Sequence, residues 1–225
     1  MKTTARSPQR YPTWLAYVTP MAAFLVLTSV ESSAPKAYYV WLYLAKAIVV
    51  TAVLIAFRTP WKDIQPNARL LVPAVLVGLA VFIEWILLDK AIPYPHLGQR
   101  ASLDPFTAIE VPALRLLFLT VRFYGLVLMV PVMEELFWRS FLLRYLTDSD
   151  FTKLPIGIFS WESFWLVAVA FGLAHSEWLV AIICACAYAL LLKQTRSVFA
   201  CIVAHGTTNL ALGVYVIFTH DWVYW

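Results

Sequence analysis

The chain has 225 residues, of which 62% are hydrophobic, 16% aromatic and 13% charged, with a formal net charge of +4 and a mean hydropathy of +0.75. A water-soluble domain carries about a quarter charged residues, so this composition excludes that class and predicts an integral membrane protein. The Lys and Arg residues are spread over several loops, which indicates membrane topology and contact with anionic lipids rather than a nucleic-acid surface.

Apolar segments define the predicted elements, since a helix needs about 20 apolar residues to cross the hydrocarbon core. In chain order these segments occupy residues 13–30, 37–57, 70–88, 119–146, 161–175, 177–192 and 198–218. They predict seven spans, and an eighth forms if 105–119 also inserts. The runs are long rather than alternating, which favours helices over a barrel. The predicted fold is all-α, a polytopic transmembrane helical bundle in which residues 1–225 form a single integral membrane domain.

The distribution of positive charge orients the bundle. If the N-terminus is cytoplasmic, ten Lys and Arg residues lie on the cytoplasmic side and five on the opposite side. The ten are Lys2, Arg6, Arg10, Arg58, Lys62, Arg69, Arg144, Lys153, Lys193 and Arg196, and the five are Lys36, Lys90, Arg100, Arg115 and Arg122. Cytoplasmic loops are the ones enriched in Lys and Arg. This excess predicts a cytoplasmic N-terminus, and we expect the membrane to be a bacterial inner membrane.

Spans two, three and four contain charged residues. The fourth includes Glu134, Glu135 and Arg139 within "PVMEELFWRSFLLR", and three central charges would cost about 8–10 kcal/mol before pairing. Glu135 and Arg139 stand at i and i+4, which favours an intrahelical ion pair. Glu134 is left without that partner and is a candidate functional residue. Lys46 and Glu84 lie in spans two and three, and we expect them to pair with each other or Glu84 to line a substrate path.

Two later spans carry polar residues at helical spacing. Phe171 and His175 are four apart in "FGLAHSEW", and His205 and Asn209 are four apart in "AHGTTNLALG", so each pair shares a helix face. At a rise of about 1.5 Å per residue, Glu134 lies roughly 17 Å, His175 about 21 Å and His205 about 11 Å from the predicted inner ends of their spans. Spans four, five and seven are therefore predicted to bring these groups together near mid-membrane.

These residue types fit hydrolysis of an amide bond without a covalent intermediate. A desolvated carboxylate suits a general base, so Glu134, helped by His175, can take a proton from water. If His205 presents an N–H, it and the Asn209 amide are donors for the developing oxyanion. Glu135 and Arg139 would then fix the helix and the local field. No cofactor is expected.

The same residues resemble a known family. "EELFWR", "FGLAH" and "HGTTN" match in order the EExxxR, FxxxH and HxxxN/D motifs of the CPBP family, the CAAX protease and bacteriocin-processing group also called Abi. The match covers residues 130–213, which are predicted to be the catalytic core. The resemblance implies an intramembrane glutamate protease acting on a peptide or protein within the bilayer. It assigns water activation to Glu134 and His175 and the oxyanion hole to His205 and Asn209.

Within this family the length and the N-terminal half resemble the CAAX prenyl protease-related proteins that accompany exosortase sorting systems, which implies an exosortase-type partner. Other functions stay open. No HExxH or GxSxG motif points to a zinc or serine enzyme. Two histidines and two carboxylates could hold zinc, but neither histidine has a carboxylate four residues away. The same polar set could instead be a proton relay in a transporter, or belong to a membrane scaffold that binds partners without cleaving them.

Overall fold

A computed structural model describes residues 11–98 and 103–225, and this part of the chain is helical without strands. We number the α-helices in chain order. They are α1 (Leu15–Ser33), α2 (Tyr39–Ala56), α3 (Leu71–Ala91), α4 (Pro105–Ala108), α5 (Pro112–Tyr145), α6 (Trp161–Leu173), α7 (Trp178–Thr195) and α8 (Val198–Thr219). Short 3-10 turns lie in several of the connections. The predicted all-α class is confirmed.

Six of these helices are long and apolar enough to cross a membrane, and α6 is a shorter apolar helix. Together they correspond to the seven predicted spans, and the protein is an integral membrane protein. The eighth span does not form, because residues 105–119 are divided between α4 and the first turns of α5. The predicted second and third spans have close counterparts in α2 and α3. By contrast α1 continues past residue 30 and α5 begins before residue 119.

Helix α5 carries the two adjacent glutamates and has 34 residues. At about 1.5 Å per residue it is roughly 50 Å long, well beyond a hydrocarbon core of about 30 Å. Two of its segments, Gly125–Met129 and Leu136–Leu142, are π-helical. Pro131 lies between them and has no backbone N–H to donate. Such wide turns are rare in helices and frequent at functional sites, and here they flank Glu134 and Glu135 on both sides.

Helix α8 packs against α3, α5 and α7. It approaches α3 at Gly78, where a Cβ atom would lie 2.3 Å from the carbonyl oxygen of Ala204. It approaches α5 at Gly206, where a Cβ atom would lie 2.7 Å from the carbonyl oxygen of Val127. Small residues allow this close approach of membrane helices. The two contacts fix the position of His205 between α3 and α5.

Successive long helices run in opposite directions across the bundle. One face of the bundle carries the α1–α2 connection, and the opposite face carries the α2–α3 connection. We call these the α1–α2 face and the α2–α3 face. Because α6 is short, its connection to α7 lies below the α1–α2 face and is covered by the segment after α3. The Leu97 N–H donates to the Ser176 carbonyl at 2.9 Å, and the Trp178 indole donates to the Pro95 carbonyl at 2.8 Å. These bonds cover the turn that contains His175, whose side chain is half-buried.

The α2–α3 face is held to α5 by a polar cluster. The Asp63 carboxylate accepts hydrogen bonds from Tyr17 at 2.7 Å, Ser140 at 2.5 Å and Arg144 at 2.9 Å. Arg144 also donates to the Ser140 and Leu154 carbonyls. The cluster fixes the end of α5 that follows the glutamates. Four of the basic residues used for the topology prediction, Lys2, Arg6, Arg10 and Arg100, lie outside the described residues.

Candidate active site

A cavity of about 1000 Å³ lies within the bundle, and all four predicted catalytic residues line it. Glu134 comes from α5, His175 from the turn after α6, and His205 and Asn209 from α8. Phe171, which the FxxxH motif contains, also lines the cavity. The structure thus brings together the groups that the depth calculation placed near one another.

Glu134 is the least satisfied member of this set. The residue is 5% exposed, and its Oε2 atom is buried without a hydrogen-bond partner among the described residues. Within residues 11–98 and 103–225 the carboxylate forms no ion pair. Leaving a buried charged acceptor unsatisfied carries a high free-energy cost. A hydrogen-bond donor that enters the cavity would therefore bind here strongly.

Glu135 is paired by charge, although its Oε2 atom and the three guanidinium nitrogens of Arg139 are buried without hydrogen-bond partners among the described residues. Its Oε2 atom lies 3.2 Å from Nε of Arg139, and both side chains are 0% exposed, so the predicted ion pair is confirmed. The guanidinium lies over the rings of Phe171 at 4.7 Å and Tyr188 at 5.4 Å. A contact that the sequence did not reveal joins Glu135 Oε1 to Nδ1 of His205 at 2.8 Å. The pair therefore reaches one of the candidate catalytic histidines directly.

The orientation of His175 follows from its contacts with Phe171. Its Nδ1 atom lies 2.7 Å from the Phe171 carbonyl oxygen, which can only accept, so Nδ1 carries a proton. The ring stacks on the Phe171 ring at 4.5 Å and 27°, and Trp85 contacts it edge-on at 6.0 Å. In the neutral imidazole Nε2 is then the nitrogen with a lone pair. The Phe at i and the His at i+4 thus set both the tautomer and the ring plane.

His205 and Asn209 are held by α5 and α7. The His205 ring stacks on Tyr188 of α7 at 5.5 Å and 30°, and with Nδ1 bonded to Glu135 the remaining ring nitrogen is Nε2. Tyr188 in turn donates to Thr208 at 2.7 Å. Asn209 donates one amide hydrogen to the Leu126 carbonyl, at 2.9 Å, in the first π-helical segment of α5. Its second amide hydrogen is left for another acceptor.

The expected pairing of Lys46 with Glu84 is wrong. Lys46 forms a salt bridge with Glu31, and each side chain is 5% exposed. Glu31 lies one residue beyond the predicted first span, whereas α1 continues through it as an antiparallel partner of α2. Both oxygens of Glu84 are buried without hydrogen-bond partners among the described residues. Glu84 is not one of the residues that line the cavity, so it does not border this path.

Arg122 is a second residue whose position the sequence did not reveal. It was predicted to lie at the membrane surface, beside the start of the fourth span. Because α5 begins at Pro112, Arg122 lies about 15 Å along the helix and lines the cavity together with Glu31 and Lys46. Within residues 11–98 and 103–225, no group of three His, Cys, Asp or Glu side chains is arranged to hold a metal ion.

Comparison with known proteins adds one finding. Residues 116–211 match a family model described as type II CAAX prenyl endopeptidase Rce1-like. The matched segment begins in α5 and ends in α8. It therefore includes all four predicted catalytic residues, Glu134, His175, His205 and Asn209. No curated protein and no solved structure matches the chain.

Proposed function

We propose that the chain is a member of the Rce1-like family of type II CAAX prenyl endopeptidases, whose model residues 116–211 match, and that it cleaves peptides in the bilayer by a glutamate-activated water. The family is one of membrane proteases. The single observation that carries the mechanism is the environment of Glu134. A buried carboxylate without a protein partner faces a cavity that two histidines also line, which is the environment that a general base requires.

In the proposed reaction Glu134 binds a water molecule and accepts one of its protons. The water oxygen attacks the carbonyl carbon of the scissile amide, and the proton passes to the leaving amine as the C–N bond breaks. His175 assists because its Nδ1–H is engaged by the Phe171 carbonyl at 2.7 Å, which leaves the Nε2 lone pair as a second proton acceptor. No covalent enzyme intermediate is needed.

Asn209 and His205 would stabilise the oxyanion. The free amide hydrogen of Asn209 can donate directly. For His205 the role requires a proton on Nε2 while Nδ1 also donates to Glu135 at 2.8 Å. The ring must then be an imidazolium, whose charge the Glu135 carboxylate balances as the carboxylate of a catalytic triad does. Removing one oxyanion donor typically costs about 2.7–4 kcal/mol of transition-state stabilisation.

The substrate is a peptide or protein in the membrane. A CAAX-type sequence follows from the family, and the exosortase-type partner and the exosortase-associated subgroup stay predictions from the N-terminal half of the sequence. Binding within the bilayer agrees with the position of the cavity inside the helical bundle, between α1, α2, α5 and α8.

The test compares Glu134→Gln with a matched control, Glu162→Gln, which changes an exposed glutamate at the start of α6. Membrane peptides from cells producing each variant are compared by mass spectrometry. We expect Glu134→Gln to abolish the processing seen with the wild-type protein, and Glu162→Gln to retain it, with both variants folded and inserted. Full processing by folded Glu134→Gln protein would reject the mechanism. If the protein is a scaffold or a transporter, no cleavage products that depend on Glu134 would be found when the wild-type and variant strains are compared.

A further inference from the structure

One carboxylate on α5 serves two basic side chains. Oε1 of Glu135 lies 2.8 Å from Nδ1 of His205, and Oε2 of the same group lies 3.2 Å from Nε of Arg139. The three side chains are 8% exposed or less. If His205 is an imidazolium, as the proposed oxyanion hole requires, two cations share one carboxylate in a buried site. Like charges repel each other strongly where little water screens them.

The aromatic ring of Tyr188 on α7 contacts both basic groups. Its centroid lies 5.5 Å from that of the His205 ring, with 30° between the two planes, and 5.4 Å from the guanidinium carbon of Arg139. The face of a tyrosine ring carries negative charge density and attracts a cation that lies within about 6 Å of its centroid. This attraction is stronger where the groups are desolvated, and Tyr188 is 0% exposed. The ring therefore gives both cations a second attractive partner besides Glu135.

The hydroxyl group of Tyr188 fixes where this ring lies. It donates to the Thr208 hydroxyl at 2.7 Å, which donates in turn to the Gly78 carbonyl at 2.7 Å. The backbone carbonyl of Tyr188 accepts from the Cys201 thiol at 3.5 Å. These bonds connect α7 with α8 and α3, so the ring is held against His205 from two sides. The hydroxyl orients the residue, whereas the face of the ring acts on the charge.

Three further titratable side chains line the cavity on the elements around His205. They are Glu134 on α5, His175 after α6 and Cys184 on α7. A charged Glu134 attracts a positive charge on His205, and a charged His175 repels it. All three groups are present in every variant at position 188. A comparison between such variants therefore isolates the contribution of the ring.

We propose that Tyr188 is a positioning residue that keeps His205 in its imidazolium form through the face of its ring. This inference rests on the proposed function, because an oxyanion donor at His205 needs the second proton on Nε2. Tyr188 acts through His205 and takes no part in proton transfer. Its role goes beyond packing, since a residue of the same shape with a less negative ring face should not replace it.

Nitrogen-15 NMR tests this proposal without cleavage, because it separates protonated from unprotonated ring nitrogens of histidine. The protein is labelled at its histidines in nanodiscs of phosphatidylcholine, and the His205 signals are those that His205→Gln protein lacks. At pH 7 we expect both nitrogens of His205 to be protonated in the wild-type protein. The pH is then raised until the wild-type protein shows both imidazolium and neutral imidazole, and the variants are compared at that pH.

The decisive variant replaces Tyr188 by a trifluorinated phenylalanine, which keeps the size of the ring and weakens its negative face. We expect it to lower the ratio of imidazolium to neutral His205 about 3- to 30-fold, as the loss of a desolvated cation–π contact would. Tyr188→Phe is its matched partner, because it lacks the hydroxyl but retains the ring face. Its ratio should stay within about twofold of the wild-type ratio.

Phe164→Leu controls for altered packing. It removes another ring of the core, which is 4% exposed on α6 and does not line the cavity, and it should leave the ratio at His205 unchanged. His175 serves as an internal reference in every spectrum, since its ring stacks on Phe171. Its signals should be the same with phenylalanine and with trifluorinated phenylalanine at position 188.

A neutral His205 in the wild-type protein at pH 7 would overturn the proposal. So would an equal ratio with the two phenylalanines, or a decrease of the same size in Phe164→Leu, since a loosened core would then be the cause. The proposed function can fail separately. In that case processing would not depend on Glu134, whereas the charge of His205 would still follow the ring at position 188.

Discussion

Glu135 and Arg139 form a fully buried pair whose members depend on each other. Removing one partner leaves the other charge uncompensated, which typically destabilises a protein by about 3–5 kcal/mol. We expect Glu135→Gln to approach that loss, because Gln can still accept from Nδ1 of His205 but cannot neutralise the guanidinium. Thermal unfolding in detergent, followed by circular dichroism, measures the effect.

The double variant Glu135→Gln with Arg139→Met separates charge balance from catalysis. With both charges gone, most of the lost stability should return. Activity should remain low, since the proposed imidazolium at His205 would have no carboxylate beside it. Recovery of both stability and processing in the double variant would show that the Glu135 charge has no part in the reaction.

At this scale the sequence revealed the local contacts and not the distant ones. The ion pair of Glu135 with Arg139 follows from four-residue spacing, and so does the contact of His175 with Phe171. The hydrogen bond from Glu135 to His205 joins residues 70 positions apart, so its existence depends on how α5 and α8 pack. That packing rests on small residues, which carry no directional signal in a sequence.

Between elements, the contact of α3 with α8 tests how closely the helices must approach. A Cβ atom at Gly78 would lie 2.3 Å from the Ala204 carbonyl oxygen and 2.7 Å from the Thr207 side chain. Gly78→Ala should therefore push the helices apart and destabilise the protein by about 1–3 kcal/mol, as overpacking usually does. Because Ala204 precedes His205, activity should fall as well.

Ala80→Leu is the control for this prediction. Ala80 lies on the same helix and is exposed, so added volume there meets no neighbouring backbone. The melting temperature and processing of Ala80→Leu should match those of the wild-type protein. A Gly78→Ala variant that is equally stable would mean that α3 and α8 do not approach as closely as described.

The helices themselves were largely predictable, since long apolar runs must form helices in lipid. Their ends were less predictable where charge is neutralised inside the bundle. Glu31 appeared to end the first span, yet α1 continues because Lys46 pairs with it. Arg115 precedes the predicted fourth span and Arg122 was assigned to its outer end, yet α5 includes both and gives Arg122 two aromatic rings. A hydropathy profile scores each charged residue as unfavourable in the membrane, even where a partner on another helix neutralises it.

For the whole molecule, the six helices long enough to cross the membrane and the shorter α6 place the start of α1 and the end of α8 on opposite faces of the bundle. Among the described residues, seven of the ten cations predicted to be cytoplasmic remain, and they lie towards the α2–α3 face: Arg58, Lys62, Arg69, Arg144, Lys153, Lys193 and Arg196. Four lie towards the α1–α2 face: Lys36, Lys90, Arg115 and Arg122. The positive-inside tendency then predicts that the α2–α3 face is cytoplasmic.

Single-cysteine labelling measures this orientation. In a background with Cys184, Cys186 and Cys201 changed to Ala, one variant carries Asp148→Cys on the α2–α3 face and another Thr219→Cys at the end of α8; both positions are exposed. A membrane-impermeant maleimide added to intact cells should label the Thr219→Cys protein, and the Asp148→Cys protein only after permeabilisation. The reverse pattern would contradict the prediction. The expected pattern would place the end of the cavity that Arg122 lines in the outer half of the membrane.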